Sequence, residues 1–474
     1  MKREASHSLT STLALTFCGV LVSCLLIPRV ARHRASARAS GCSNNLRMLG
    51  LALHNYHSAY KQLPILCGGT AGGEDSQSNQ GRLGLLVPLL PFAENQQLWE
   101  TIVNPHTNPS TDQSFPSMGP APWFDPEAYG PWKQCPAVFQ CPDDPAESAV
   151  ELPKVVFTLE PVSSGGDGAV VTNYVACLGD TTDAEPMRQD SPAETIRVGA
   201  NHRGFFKAAK RTRFRDILDG LAHTMMFSET IASVKPTSAT KIYKEVNGLQ
   251  DNPTLCLAAA QSNGPAWDFG RGARWCDGAL PFTGYQAILP PNAPSCTSEL
   301  GMMHGTVSAS SRHEGGVYVL MGDGAVVFIT ENIDTGDPSR PTVRAGGTDQ
   351  SAPGRRSPYG LWGALGTRAN AEVIGRELAL ATARHAEMSL YERMMREPFN
   401  RSRPTQISPP STPGVTWTDT TGRIKLTATF VRIIDQRIVE LKDSQGVLHQ
   451  VPLNSLKDED IFRAVEKDLT SSIK

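Results

Sequence analysis

The chain has 474 residues, too many for one ordinary domain and enough to bury a sizeable core. Charged residues make up 19% beside 41 Gly and 35 Pro; globular proteins average roughly 25% charged, so the composition points to a loop-rich body. A net charge of -2 and a pI near 6.6 remove any electrostatic case for nucleic-acid binding.

Leu9 to Ile27 is an uncharged, largely apolar run. As a helix rising about 1.5 Å per residue it spans roughly 28 Å, close to the hydrocarbon core of a bilayer. Residues 9–27 are therefore expected to be a transmembrane stem in contact with membrane lipid, with 1–8 as a cytoplasmic N terminus. Its hydroxyls, such as Thr12 and Thr16, can bond carbonyls one turn earlier and do not forbid burial in lipid. The same run contains Leu21-Val22-Ser23-Cys24, the form of a lipoprotein cleavage box. Acylation at Cys24 would make the protein lipid-anchored; otherwise Cys24 is a chance cysteine in a membrane helix. Orientation is contested. Lys2 and Arg3 precede the run and Arg29, Arg32, Arg34 and Arg38 follow it, which by the positive-inside rule keeps the large domain in the cytoplasm.

Pro28 marks a bend, and from about Val30 the pattern is that of a long, half-polar helix. Leu46, Leu49, Leu53, Tyr56 and Tyr60 recur at three- and four-residue steps on one face. Cys67 to Gly84 is a loop, and Gln96 to Val103 a short helix. Strands are expected at Val155–Leu159, Ala169–Cys177 and Thr224–Ser228, the last preceded by a turn with Gly220 at positive φ. Val317 to Thr330 carries the strongest local signal. VYVLM and AVVFIT flank Gly322-Asp323-Gly324, which reads as a hairpin, central and covered on both faces.

His313 and Asp323 invite an acid–base or metal reading. Ten extended residues separate them by up to roughly 33 Å, so they stand at opposite ends of one strand and a structural role is expected. Outside the apolar run there are eight cysteines, none in C-x-x-C and none with a zinc-like spacing to histidine, so no metal site is expected. Cys135 and Cys141 are the candidate disulfide if the head is exported. Asp180, Asp183 and Glu185 crowd one loop, expected to be a solvated acidic surface. No nucleophile elbow, phosphate loop or dinucleotide fingerprint is present, so neither cofactor nor small-molecule substrate is expected.

Several blocks together resemble bacterial prepilin-like proteins of a large domain-of-unknown-function family, which have a type IV pilin-like N terminus and an H-x9-DG signature. The blocks are CSNNLRMLGLALHNYH (42–57), LLVPLLPFAENQQLW (85–99), FQCPDDP (139–145), TNYVACLGD (172–180), RFRDILDGLAHTMMFSE (213–229), LPPNAPSC (289–296) and SRHEGGVYVLMGDGAVVFI (311–329). His313, Asp323 and Gly324 have the signature's spacing. The resemblance covers residues 1–375, implies an exported head on a long N-terminal helix, and brings no established activity. Ser6 stands where the family has its cleavage-site glycine, His7 at the following phenylalanine and Ser11 at the acidic residue of the apolar run. An uncleaved, non-polymerising anchor follows from these departures.

Glu372 to Arg396 is helical in character, and Pro398 to Pro413 is rich in Pro, Ser and Thr. Beyond it Ile424, Leu426, Ala428 and Phe430 alternate with polar residues as in a half-buried strand; Arg437–Lys442 and Val447–Leu453 follow, then a helix from Ser455. The W-T-D start at Trp417, the strand spacing and V-P-L-N-S-L at 451–456 resemble the SH3-like homology domain of the Sla-type endocytic adaptors. That resemblance implies protein–protein contact, with Trp417 and Phe430 as the module's aromatic residues.

The expected class is α+β. A pilin-like long N-terminal helix packs on an antiparallel sheet with long loop insertions (28–375), a helical and Pro-rich linker follows (376–414), and a small SH3-like β-barrel closes the chain (415–474). The expected function is that of a membrane-anchored, exported, non-catalytic structural or adaptor protein that binds an unidentified protein through 415–474. The alternative is an exoplasmic, metal-assisted enzyme.

Overall fold

The computed structural model describes residues 37–144, 170–185, 192–208, 210–370, 415–418, 425–434, 438–443 and 448–452. The expected stem at 9–27, Cys24, the strand at 155–159, the linker at 376–414 and the helix from Ser455 lie outside these residues. No helix among the described residues is long and apolar enough to cross a membrane. The chain divides into two compact units, Met1–Arg396 and Glu397–Lys474, and the class is mixed α+β.

In the first unit, helix α1 covers residues 37–60. Leu46, Leu49 and Leu53 are fully buried on one face, while Leu51 on the other is 54% exposed. The expected stripe ends early, since Tyr56 is half-buried and Tyr60 is exposed. Lys61, at φ +57°, stops the helix and donates its N–H to the His57 carbonyl (2.8 Å). Two short ladders follow, β1 (Cys67–Gly68) with β2 (Leu83–Gly84) and β3 (His106–Thr107) with β4 (Ser114–Phe115). Between them lies helix α2 (Gln96–Val103), at its expected bounds, with Leu98 and Ile102 buried one turn apart.

The central sheet is built from β5 (Tyr174–Cys177), β6 (Met225–Glu229), β8 (Gly284–Tyr285), β11 (Gly316–Met321) and β12 (Val326–Thr330). Its order is β12-β11-β6-β5-β8, antiparallel except for the β5–β8 pair. A second sheet, order β10-β9-β7, joins β7 (Ile242–Tyr243), β9 (Ser295–Ser298) and β10 (Gly301–Thr306). β5 starts later than expected because Thr172 and Asn173 donate their N–H groups to the carbonyls of Gly272 and Phe139 rather than to a ladder (2.9 and 3.0 Å).

Strand alternation gives the central sheet two apolar faces. Tyr174, Ala176, Phe227 and Leu320 share one core with Leu46, Leu49 and Leu53 of α1. Val175, Cys177, Val317, Val319 and Met321 pack on the other side against Leu361, Trp362 and Leu365, from the helix Gly360–Gly366. The expected hairpin is present, with Leu320 opposite Val326 and Gly324 at φ +92°. Only β11 is internal. β12 is an edge strand whose Val326, Val327 and Phe328 stay half-buried, because among the described residues nothing pairs with its outer side.

The second unit is a four-stranded antiparallel meander of β13 (Val415–Thr418), β14 (Lys425–Ile434), β15 (Ile438–Asp443) and β16 (Leu448–Pro452). Its register sets Trp417 opposite Leu426 and Phe430 opposite Leu441. The strands fall close to where alternation placed them. The expected barrel is not seen, since among the described residues none of the sheets closes on itself.

Two glycines separate conformational strain from collision. A Cβ on Gly324 would meet nothing within 4 Å, so Gly324→Val carries only the penalty of positive φ, about 1–2 kcal/mol. A Cβ on Gly204 would lie 2.1 Å from the Leu178 carbonyl carbon and 2.3 Å from the Gly179 nitrogen. Thermal melting should therefore show a modest drop for Gly324→Val and a much larger one for Gly204→Ala; equal drops would refute the distinction.

Candidate functional site

Three segments distant in sequence converge beside the first turns of α1. Glu229 closes β6 opposite Tyr174, on the sheet face that α1 covers. His313 sits in the loop entering β11, where the Ser311 hydroxyl accepts the His313 N–H (3.1 Å) and donates to the Gly316 carbonyl (2.6 Å). Cys141 is held by its own N–H, which donates to Asn173 Oδ1 (2.9 Å). Asp144 anchors the same loop: its Oδ2 accepts from Asn173 Nδ2 (2.7 Å) and the Ala232 N–H (2.8 Å), and its Oδ1 pairs with Arg312 (2.5 Å).

At the centre, His313 Nε2 faces Glu229 Oε1 at 3.1 Å and His313 Nδ1 faces Asp143 Oδ2 at 3.1 Å. The Glu229 side chain is 1% exposed and that of His313 5%. The second oxygen of Glu229 accepts the Tyr318 N–H (2.8 Å), and the second oxygen of Asp143 takes Arg38 Nε of α1 (2.6 Å). Burial pushes the Glu229 carboxyl above its ordinary pKa against the pull of His313. Burial opposes a charged His313, but the hydrogen bonds and charges of Glu229 and Asp143 outweigh it and raise the imidazole. Both shifts favour a proton held between Nε2 and Oε1.

Over this pair lies a disulfide, Cys42–Cys141, tying α1 to the loop 139–144. Cys141 Sγ is 3.9 Å from His313 Nε2 and 4.0 Å from Glu229 Oε1. The ligand-type atoms of Cys42, Cys141, Glu229 and His313 all lie within 4.8 Å of one another. Both sulfurs are bonded to each other, so neither is a thiolate able to hold a metal.

The expected disulfide is overturned. Cys141 pairs with Cys42 and Cys256 pairs with Cys296, while Cys135 is a half-buried free thiol. The bond to Asn173 sets Cys141 at the start of β5, whose Tyr174 hydroxyl reaches the Cys42 carbonyl (3.1 Å). His313 and Asp323 stand at the two ends of β11; Asp323 turns its Oδ1 to the Ala325 N–H (2.9 Å) within the hairpin turn. Trp417 and Phe430 lie on β13 and β14. Asp180, Asp183 and Glu185 are not a solvated surface. Asp180 is fully buried against Arg203 (3.2 Å), Asp183 pairs with Arg197, and Glu185 faces His304 (3.6 Å).

The residues that sequence reasoning missed are Cys42, Asp143 and Glu229. Their one local signal is a charged or thiol group inside a block otherwise apolar or turn-forming, as Glu229 ends the wholly buried MMFSE. A separate polar cleft is lined by Asp183, Asn201, Glu299, His304 and Arg344 among others. Several of its polar groups already have partners: Asn201 Nδ2 donates to Asp183 (2.5 Å), and Arg344 donates to the Gln250 carbonyl (2.8 Å) and pairs with Asp251.

A family model described as "Protein of unknown function (DUF1559)" matches residues 31–336, which takes in α1, both sheets of the first unit and every residue of the buried joint. No curated protein and no solved structure matches the chain.

Two outcomes follow from the joint. The Cys42–Cys141 link spans a sequence separation of 99, and closing a loop of that size contributes about 4–5 kcal/mol. Denaturant titration should show Cys42→Ser losing most of this while Cys135→Ser loses little. Because the His313 pKa is raised in the folded state, its contribution is complete below about pH 6.5 and is lost as pH rises through the raised value. The stability gap between the wild type and His313→Asn should narrow on the alkaline side; a gap that widens there would contradict the assignment.

Proposed function

The chain belongs to the DUF1559 family of proteins of unknown function, and from that premise we propose that it is a membrane-anchored, exported, non-catalytic structural or adaptor protein. The observation that carries this reading is the closed joint at His313. Its acid–base groups are buried, each is bonded to another protein group, and a disulfide lies over them, an arrangement that suits holding a helix to a sheet. Two disulfides in one unit favour an oxidising compartment. The apolar run 9–27 supplies the membrane contact, as a pilin-like stem continuing into α1 or, by acylation at Cys24, as a lipid anchor.

The meander β13–β16 supports the second half of the reading. Its strand spacing and Trp417 resemble the SH3-like domains of Sla-type adaptors, and residues 415–474 are proposed to bind a protein partner there. The opposing reading, an exoplasmic enzyme, draws on the polar cleft at Asp183 and His304. The mutual pairing of its groups favours a structural role for them as well.

Protease treatment of intact cells tests the export. Residues 37–370 should be digested from outside while the cell stays sealed, and alkylation before lysis should leave Cys42, Cys141, Cys256 and Cys296 unlabelled. A protected head with four alkylated cysteines would overturn the reading and place the bulk of the chain inside.

A further inference from the structure

We propose that the buried joint is a two-state site. When oxidised it is a disulfide staple; once Cys42–Cys141 is reduced, its two thiolates, one imidazole and one carboxylate form a site for a divalent cation of the zinc type. This goes beyond the anchoring role and holds whichever compartment the head occupies.

Tetrahedral zinc sites hold sulfur at about 2.3 Å, nitrogen at about 2.0–2.1 Å and carboxylate oxygen at about 2.0–2.2 Å. Ligand atoms at those radii stand about 3.4–3.8 Å from one another. The joint already approaches three such edges: Nε2 to Oε1 is 3.1 Å, Cys141 Sγ to Nε2 is 3.9 Å and Cys141 Sγ to Oε1 is 4.0 Å. Cys42 Sγ falls within 4.8 Å of the same atoms. The covalent bond between Cys42 and Cys141 occupies both sulfurs, and reduction is what frees them to ligate.

The surroundings are those of a metal site as well. A ligating histidine characteristically donates its other ring N–H to a carboxylate, which fixes tautomer and orientation. Here Nδ1 faces Asp143, itself held by Arg38. The non-ligating oxygen of Glu229 accepts the Tyr318 N–H. Two sulfurs, one imidazole and one carboxylate form a donor set suited to zinc or cobalt rather than calcium or magnesium.

The chemistry balances with a dithiol as reductant. The dithiol gives two electrons and two protons, becomes a disulfide itself, and leaves thiols on Cys42 and Cys141. Binding of the cation then releases both thiol protons and the proton shared by Nε2 and Oε1, while the Nδ1 proton stays with Asp143.

The full chain, reduced with dithiothreitol and cleared of it, is titrated with Co²⁺. One equivalent should bind with intense thiolate-to-cobalt absorption, and the oxidised chain should show none. Cys141→Ser and His313→Ala should lose that absorption, and Cys135→Ser should keep it. A variant-free measurement stands beside these: with Zn²⁺ present, Cys42 and Cys141 of the reduced wild type should resist alkylation, as mapped by mass spectrometry, while Cys135 reacts at the same rate with or without the metal. The proposal is overturned if the reduced chain takes up no cobalt or if zinc does not protect Cys42 and Cys141. It is also overturned if His313→Ala binds as the wild type does, or if reduction unfolds the chain even with zinc supplied.

Discussion

A carboxylate and an imidazole cannot be buried side by side unless nearly every lone pair and proton between them finds a partner. That requirement organises the first unit. Meeting it for Glu229 and His313 takes a backbone N–H from β11, Asp143 from the loop 139–144 and, behind Asp143, Arg38 from α1. Each of these groups comes from a different element, so the polar joint can form only when helix, loop and two strands have all arrived. Apolar packing would tolerate small slips between α1 and the sheet; a set of hydrogen bonds at about 3 Å does not. The disulfide to Cys42 then holds in place an arrangement that the side chains have already specified.

Much of the frame was legible in the sequence, because periodicity reports directly on which face is buried. Leu46, Leu49 and Leu53 announced the buried side of α1, and helix Gln96–Val103, the hairpin around Gly324 and the strands β14 to β16 fall near their expected bounds. β12 did not behave as its composition indicated. An apolar strand can lie at an edge or in the middle of a sheet, and only the strand order decides.

The joint itself was not legible, for a different reason. Its members are separated by up to 275 positions, from Arg38 to His313, and each is unremarkable in its own neighbourhood. Cys135 and Cys141 looked paired because they are close in the chain. Proximity in sequence is no guide here, since the bonds from Asn173 to Phe139 and from Cys141 to Asn173 turn Cys141 toward α1. The sequence motif couples His313 to Asp323, yet the partner of His313 in the fold is Glu229, which the motif does not contain.

The strand order of the central sheet governs how the protein must be made. Two neighbouring pairs, β11–β12 and β5–β6, join consecutive strands; β6 must still wait for β11 at Gly316–Met321, and β5 cannot complete its parallel pair until Gly284 and Tyr285 exist. Such non-local pairing is slow, because loop closure must precede any gain from contact. In the meander β13–β16 the described strands pair only with those consecutive in sequence. During synthesis the slowest part of the chain thus emerges first and the quickest last. In between, the apolar residues of β6 lack their β11 partners for the time it takes to translate from residue 229 to residue 321, an interval in which exposed apolar strand is open to misassociation.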